Sequence, residues 1–383
     1  MRITPRTMLC ATAWRVLQHV AVARFEEVRE LCGAAGDKAS LAIAMTGQGH
    51  DYFYQGRIFE ASRLASETWA LVESLGDPNL TVGLAPSLIR PKTSTSEWSE
   101  VLRWSQRVIE LADGDPSKGN FIVGSPLALT LATRGMARYW LGLPGWRDDQ
   151  RHGLTLARAS DPMSHTGVTA YVYFPAFLNG VLRPDDSALR DIEDAVRIAG
   201  RAGDDSALAY AWATLGAALV DRQSDAERAR GRQLLADVSE MYKRRQQNLS
   251  MMTTINIWLA REKARSGDRD EAIPVMRDAV GDLFRDGWLQ ANCVRATGVL
   301  VETLLERGAE GDVAEAEAAI DRMVAAPADD GLVLRDVWLL RLRALLARAH
   351  GDAAAYAHLR DDYRKAAKTL GYEGHIEWAD AMP

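Results

Sequence analysis

An all-α solenoid is the fold class this sequence predicts, and three observations predict it. Helix-turn-helix pairs recur about every forty residues along nearly the whole chain. No stretch between them alternates apolar and polar residues as a half-buried strand would. The joints carry a repeated punctuation: Ser74-Leu75-Gly76-Asp77-Pro78, Asp113-Gly114-Asp115-Pro116, Ala159-Ser160-Asp161-Pro162 and Ala202-Gly203-Asp204-Asp205, whose aspartates lie 38, 46 and 43 residues apart. A second series, Gly267-Asp268, Gly311-Asp312 and Gly351-Asp352, is spaced 44 and 40 and marks the tight turn inside later pairs. Glycine ends one helix in the left-handed conformation and aspartate caps the next.

Taken in order, residues 1–38 hold atypical N-terminal helices. Met1-Arg2-Ile3-Thr4-Pro5-Arg6 begins with positive charge, but 11–22 carries Arg15, Gln18 and His19 and shows no small-residue cleavage site, so it reads as a first helix and not a signal peptide. Repeat pairs fill 39–370: 41–54 with 58–75, 80–90 with 98–111, 127–141 with 147–158, 163–182 with 189–199, 207–220 with 227–242, 251–264 with 271–284, 289–305 with 313–324, and 334–349 with 353–370. That is about eight pairs in one continuous body, with 371–383 as a C-terminal cap. Between 186 and 220, Leu189, Ile192, Val196 and Ala199 recur at helical spacing, as do Leu208, Trp212, Leu215 and Leu219, so both helices read as amphipathic. Ala209, Ala213, Gly216 and Ala217 let a neighbouring helix come close. This mixture resembles a tetratricopeptide repeat, which implies a right-handed α/α superhelix. Pro175 should kink or end the helix that holds Tyr171, Tyr173, Phe174 and Phe177.

Composition narrows the function. The apolar fraction of 47% and charged fraction of 26% belong to a folded, soluble chain, and no apolar run approaches the ~18 to 20 residues that span a bilayer. Three cysteines, Cys10, Cys32 and Cys293, fit neither a disulfide framework nor a zinc site and suit a reducing cytoplasm. A net charge of −6 argues against nucleic acid as a partner, and Lys243-Arg244-Arg245 suits the negative end of a helix dipole. Catalytic signatures are missing. Gly114-Asp115-Pro116-Ser117-Lys118-Gly119-Asn120 has the wrong spacing for a phosphate loop, and Gly142-Leu143-Pro144-Gly145 is a turn. The acidic pairs Asp148-Asp149, Asp185-Asp186, Asp204-Asp205 and Asp361-Asp362 lack a third aspartate at DDxxD spacing, and most fall at helix starts. The seven histidines form no HExxH motif, and no GxSxG elbow occurs. The sequence thus points to no catalytic residue, no metal and no cofactor.

Four strings carry a further likeness: Phe25-Glu26-Glu27-Val28-Arg29-Glu30-Leu31-Cys32, Val101-Leu102-Arg103-Trp104-Ser105-Gln106-Arg107-Val108-Ile109, Gly119-Asn120-Phe121-Ile122-Val123-Gly124-Ser125-Pro126 and Gly374-His375-Ile376-Glu377-Trp378-Ala379. With them, residues 20–383 resemble the C-terminal helical-repeat region of large actinobacterial, particularly mycobacterial, regulators. In that family a class III nucleotide cyclase domain and an AAA-type ATPase domain precede a tetratricopeptide-like tail, joined in some members by a LuxR-type DNA-binding domain. The resemblance implies a stand-alone or truncated copy of the sensor arm, without the family's catalytic residues. The expected partner is a protein or peptide segment, or a small effector, in the concave groove; the alternative is a cyclase or ATPase domain encoded separately. First helices of each pair line the concave face in tetratricopeptide arrays, and on that ground Arg134, Tyr139 and Tyr173 are the candidate partner-binding residues.

Overall fold

The computed structural model describes residues 3–13, 22–245, 248–285, 290–327, 329 and 331–383. Among these are nineteen α-helices and no strand. Helices α1 (Ile3–Thr12) and α2 (Val22–Ala35) precede the repeat pairs. The pairs are α3 (Lys38–Tyr54) with α4 (Ile58–Leu75), α5 (Pro78–Ser94) with α6 (Trp98–Ala112), α7 (Pro126–Trp140) with α8 (Trp146–Arg158), and α9 (Pro162–Leu178) with α10 (Asp186–Ala202). They continue as α11 (Asp205–Val220) with α12 (Asp225–Arg245), α13 (Leu249–Arg265) with α14 (Arg269–Arg285), α15 (Gln290–Arg307) with α16 (Asp312–Ala325), and α17 (Val333–Ala349) with α18 (Ala353–Leu370). A short α19 (Glu373–Asp380) follows. All eight expected pairs are present in an all-α, tetratricopeptide-like array. The first helix lies at Ile3–Thr12 instead of 11–22, of which 14–21 are outside the described residues.

The punctuation works locally as chemistry requires, with two corrections. Asp77, Asp161, Asp204 and Asp352 each accept a backbone N–H of the first helical turn, and Gly76, Gly203 and Gly371 end helices in the left-handed conformation. Asp115, however, caps no helix: its carboxylate accepts the Ser117 N–H at 2.9 Å, and α7 opens eleven residues later behind Ser125. Glycine contact explains the detour, because a Cβ on Gly119 would lie 2.4 Å from the Gly83 backbone nitrogen, so the 114–125 loop lies directly on α5. At the other site Gly311 itself occupies the cap with φ 86°, and Asp312 turns back to Arg307 at 2.5 Å. The first helix of the fourth pair also ends early. Helix α9 continues through Pro175 for only three residues, then stops at Gly180 (φ 68°), where the Val181 N–H returns to the Ala176 carbonyl at 2.8 Å.

Each first helix packs on its own partner and on the first helix of the next pair, which makes an inner layer of α3, α5, α7, α9, α11, α13, α15 and α17. Enclosure changes their pattern: α10 shows one apolar face, whereas α11 is buried continuously from Ala213 to Val220 and is not amphipathic. Gly216 meets Gly231 there, so α11 and α12 approach backbone to backbone. Tryptophan pairs hold successive units, Trp69 on Trp104 with ring centres 4.4 Å apart and Trp98 on Trp140 at 5.4 Å. The repeat spacing reappears in inter-unit ion pairs such as Arg261–Asp221 at 2.6 Å and Arg341–Glu302 at 2.7 Å.

The far end of the array folds back on its middle. Helix α17 packs on α7 and α15 on α5, so the inner helices α7 to α17 make a closed circuit. A backbone clasp fastens it: the Glu373 and His375 N–H groups donate to the Val181 and Gly180 carbonyls, each at 3.0 Å, and Glu373 accepts the Arg183 N–H at 3.1 Å. Arg147 adds bonds to Glu373 at 2.8 Å and to the Gly371 carbonyl at 2.7 Å. The seam is as tight as glycine permits, since a Cβ on Gly374 would lie 2.9 Å from the Gly180 backbone and one on Gly180 would strike Trp378.

Candidate functional site

Seven inner helices, α3 to α15 in the odd series, converge on one cavity of about 200 Å³. Phe53, Val123, Leu129, Met136, Trp140, Tyr171 and Phe174 form apolar walls, while Ser87, Thr133, Asn179, Asn248, Thr254 and Asn292 give neutral hydrogen-bonding groups. The 114–125 loop is what brings Val123 to the wall. Among the described residues no aspartate, glutamate or lysine lines the space.

Arg90 supplies its charge. The side chain is half-buried on α5 between Pro86 and Pro91, and its guanidinium carbon lies 4.2 Å from the Phe53 ring centre, 5.0 Å from Tyr54 and 5.4 Å from Tyr210. One Nη donates to the Tyr54 hydroxyl at 2.8 Å and the other to the Tyr210 hydroxyl. Burial holds the Tyr54 phenol well above its usual range and pushes Tyr171 up to about 12, so both stay neutral. His50, also on the wall, is pushed down to about 3 by burial and then by Arg90, and is neutral too. Among the described residues of the wall, Arg90 thus supplies the one positive charge at neutral pH.

None of the three residues singled out from sequence lines this cavity. Arg134 turns to the outer layer, pairing with Asp149 at 2.6 Å and donating to Gln106 at 3.0 Å. Tyr139 is fully buried, and its carbonyl accepts the Tyr372 hydroxyl. Tyr173 donates its hydroxyl to Asp191 at 2.8 Å and stacks on Phe177, which puts it between α9 and α10. The aromatic cluster of α9 divides: Tyr171 and Phe174 face the cavity, Tyr173 and Phe177 face the core. Arg90 lies in no recognised motif, and its only signal in the sequence is that it is the first charge after an uncharged run from Asn79 to Ile89 and is flanked by prolines.

A second cation, Arg295, lies beneath the clasp with 3% exposure, its guanidinium 4.7, 4.9 and 5.1 Å from the Trp258, Trp338 and Trp378 rings. Burial, then Arg261, pulls it down to about 9. Trp338 and Trp378 also pack on His375, whose Nδ1 meets the Tyr363 hydroxyl at 2.8 Å and which burial keeps neutral, well below the usual histidine range. These groups join α13, α15, α17, α18 and α19, and all but the partly buried Trp378 are closed to solvent. Among the described residues no cluster of histidine, cysteine, aspartate or glutamate could hold a metal, the three cysteines are buried free thiols, and no helix is long and apolar enough to cross a membrane.

No family model and no curated protein matches the chain. Among solved structures it is similar to that of a Rap protein complexed with competence and sporulation factor, with a TM-score of 0.54 at 13% identity, covering 89% of this chain and 96% of the other. That likeness is one of fold: both chains are helical-repeat arrays over almost their whole lengths.

Proposed function

We propose that the chain is a non-catalytic sensor or protein-interaction module of a signal-transduction regulator, and that it binds a peptide segment or small effector in the central cavity. Convergence carries this reading: side chains from seven inner helices meet one space, so one occupant touches most of the array and can bias its shape. The similar Rap structure holds competence and sporulation factor, which supports a regulatory binding role for such an array. The resemblance to cyclase and ATPase regulators supplies the finer reading, in which occupancy biases an attached or separately encoded ATPase or cyclase domain. Buried free thiols fit work in a reducing cytoplasm.

Thermal unfolding of the purified chain against peptide pools, common metabolites and magnesium nucleotides tests the proposal. A ligand of the folded state raises Tm by mass action. A peptide or metabolite should do so, and Thr133→Leu, which fills the cavity, should abolish the rise. A magnesium-dependent nucleotide shift accompanied by turnover would overturn it.

A further inference from the structure

The lining of the cavity specifies the chemistry of what enters. We propose that Arg90 binds the carboxylate of the occupant, which is a carboxylic acid on a small, uncharged, largely apolar body: a free acyl or aryl acid, or the last residue of a peptide. The inference rests on the binding role proposed above and names its ligand class.

Four observations lead there. First, a guanidinium has five N–H donors, and Arg90 spends two on phenols, which leaves three without a partner among the described residues. Two parallel N–H groups on a planar fork match a carboxylate. Second, Arg90 has no ion-pair partner among the described residues, whereas three other inner-layer arginines have one: Arg134 has Asp149, Arg261 has Asp221 and Arg341 has Glu302. Arg295 also has none, but three indoles seal it away, while Arg90 is half-buried and stands on the wall of an open space. Third, one positive charge suits one negative charge. A phosphate monoester carries about −1.5 to −2 at neutral pH and would bring charge that nothing here answers. A free amino acid fares no better, because no carboxylate among the described residues lines the wall to meet its ammonium group. Fourth, size excludes a whole folded segment. A 150 Å³ apolar cavity in another protein holds benzene, so about 200 Å³ admits one short acyl chain, one aryl group or one residue.

The experiment is calorimetric titration of the full chain with hexanoate and 3-phenylpropionate against their primary amides, and with a random hexapeptide pool bearing free against amidated C-termini. Each acid that binds should do so at least tenfold more tightly than its amide, and Arg90→Met should erase that preference. Should Arg90→Met fail to fold by circular dichroism, the neutral and polar Arg90→Gln replaces it, and the comparison of acid with amide on the unaltered chain stands without any variant. Binding by the small acids identifies a free acid as the source; binding by the peptide acids alone identifies a C-terminus. Equal binding of acid and amide, blocked by Thr133→Leu, sinks the carboxylate and leaves the sensor reading standing. No binding by any probe sinks the carboxylate, and the sensor reading falls with it only if the thermal screen is blank as well.

Discussion

Asp149 lies between Arg134 and Arg138 with only 4% of its surface exposed, and removing one partner leaves a buried carboxylate short of a donor. Arg134→Met should therefore cost about 2–3 kcal/mol in urea unfolding and leave cavity binding unchanged. Tyr173→Phe should cost about 1 kcal/mol through the lost bond to Asp191, again without an effect on binding. Acid should act through buried histidines, His165 among them and His50 and His375 foremost. Burial depresses the folded-state pKa of His50 and His375, so the unfolded chain takes up protons that the folded chain refuses, and stability falls as pH drops below about 6.5. Each histidine contributes about 1.4 kcal/mol per pH unit there, and His50→Gln should flatten the slope measured between pH 7 and 5. Depressed carboxylates such as Glu97 and Glu302 add losses of the same sign only below about 4.5. At this scale the sequence was legible for caps and silent on the direction in which a side chain points. Arg134 and Tyr173 stand on inner helices as expected, but which way each points depends on Asp149 and Asp191, residues on a different helix in each case.

Helices were readable because their signals are local. Apolar spacing, a left-handed glycine and a capping aspartate lie within one or two turns, so the paired bounds moved by only a few residues. Asp161→Ala should remove the bonds to Met163 and Ser164 and cost about 1 kcal/mol. The exceptions arose where a distant segment decided the local outcome. Asp115 does not cap because Gly119 lies on Gly83, and 163–182 stops at Leu178 because Gly180 is taken by the clasp. Gly180→Ala puts an L side chain at φ 68° against Trp378. It should loosen α19 by hydrogen exchange, leaving α3 to α6 protected as before.

The class of architecture followed from periodicity alone, since a forty-residue repeat of helix pairs has few other solutions. Closure did not, because the sequence separation between Gly180 and Gly374 hides a contact that only the turn of the superhelix creates. The cavity followed closure out of view, being the space that the odd helices leave when they curve round. An open array unfolds unit by unit, with each repeat answering only to its neighbours. This one is fastened across the circuit. Denaturant unfolding of α7 to α19 should be a single transition, and Gly374→Val should split it in two, as followed by near- and far-ultraviolet circular dichroism. The clasp also changes the mechanics. A spring coil lengthens when its ends are pulled, whereas a split ring with its gap latched resists stretch until the latch gives. Arg147, Glu373 and the Gly180 carbonyl are that latch, so torque applied at α17 reaches α7 directly as well as through α9 to α15, and the molecule carries load as a washer does.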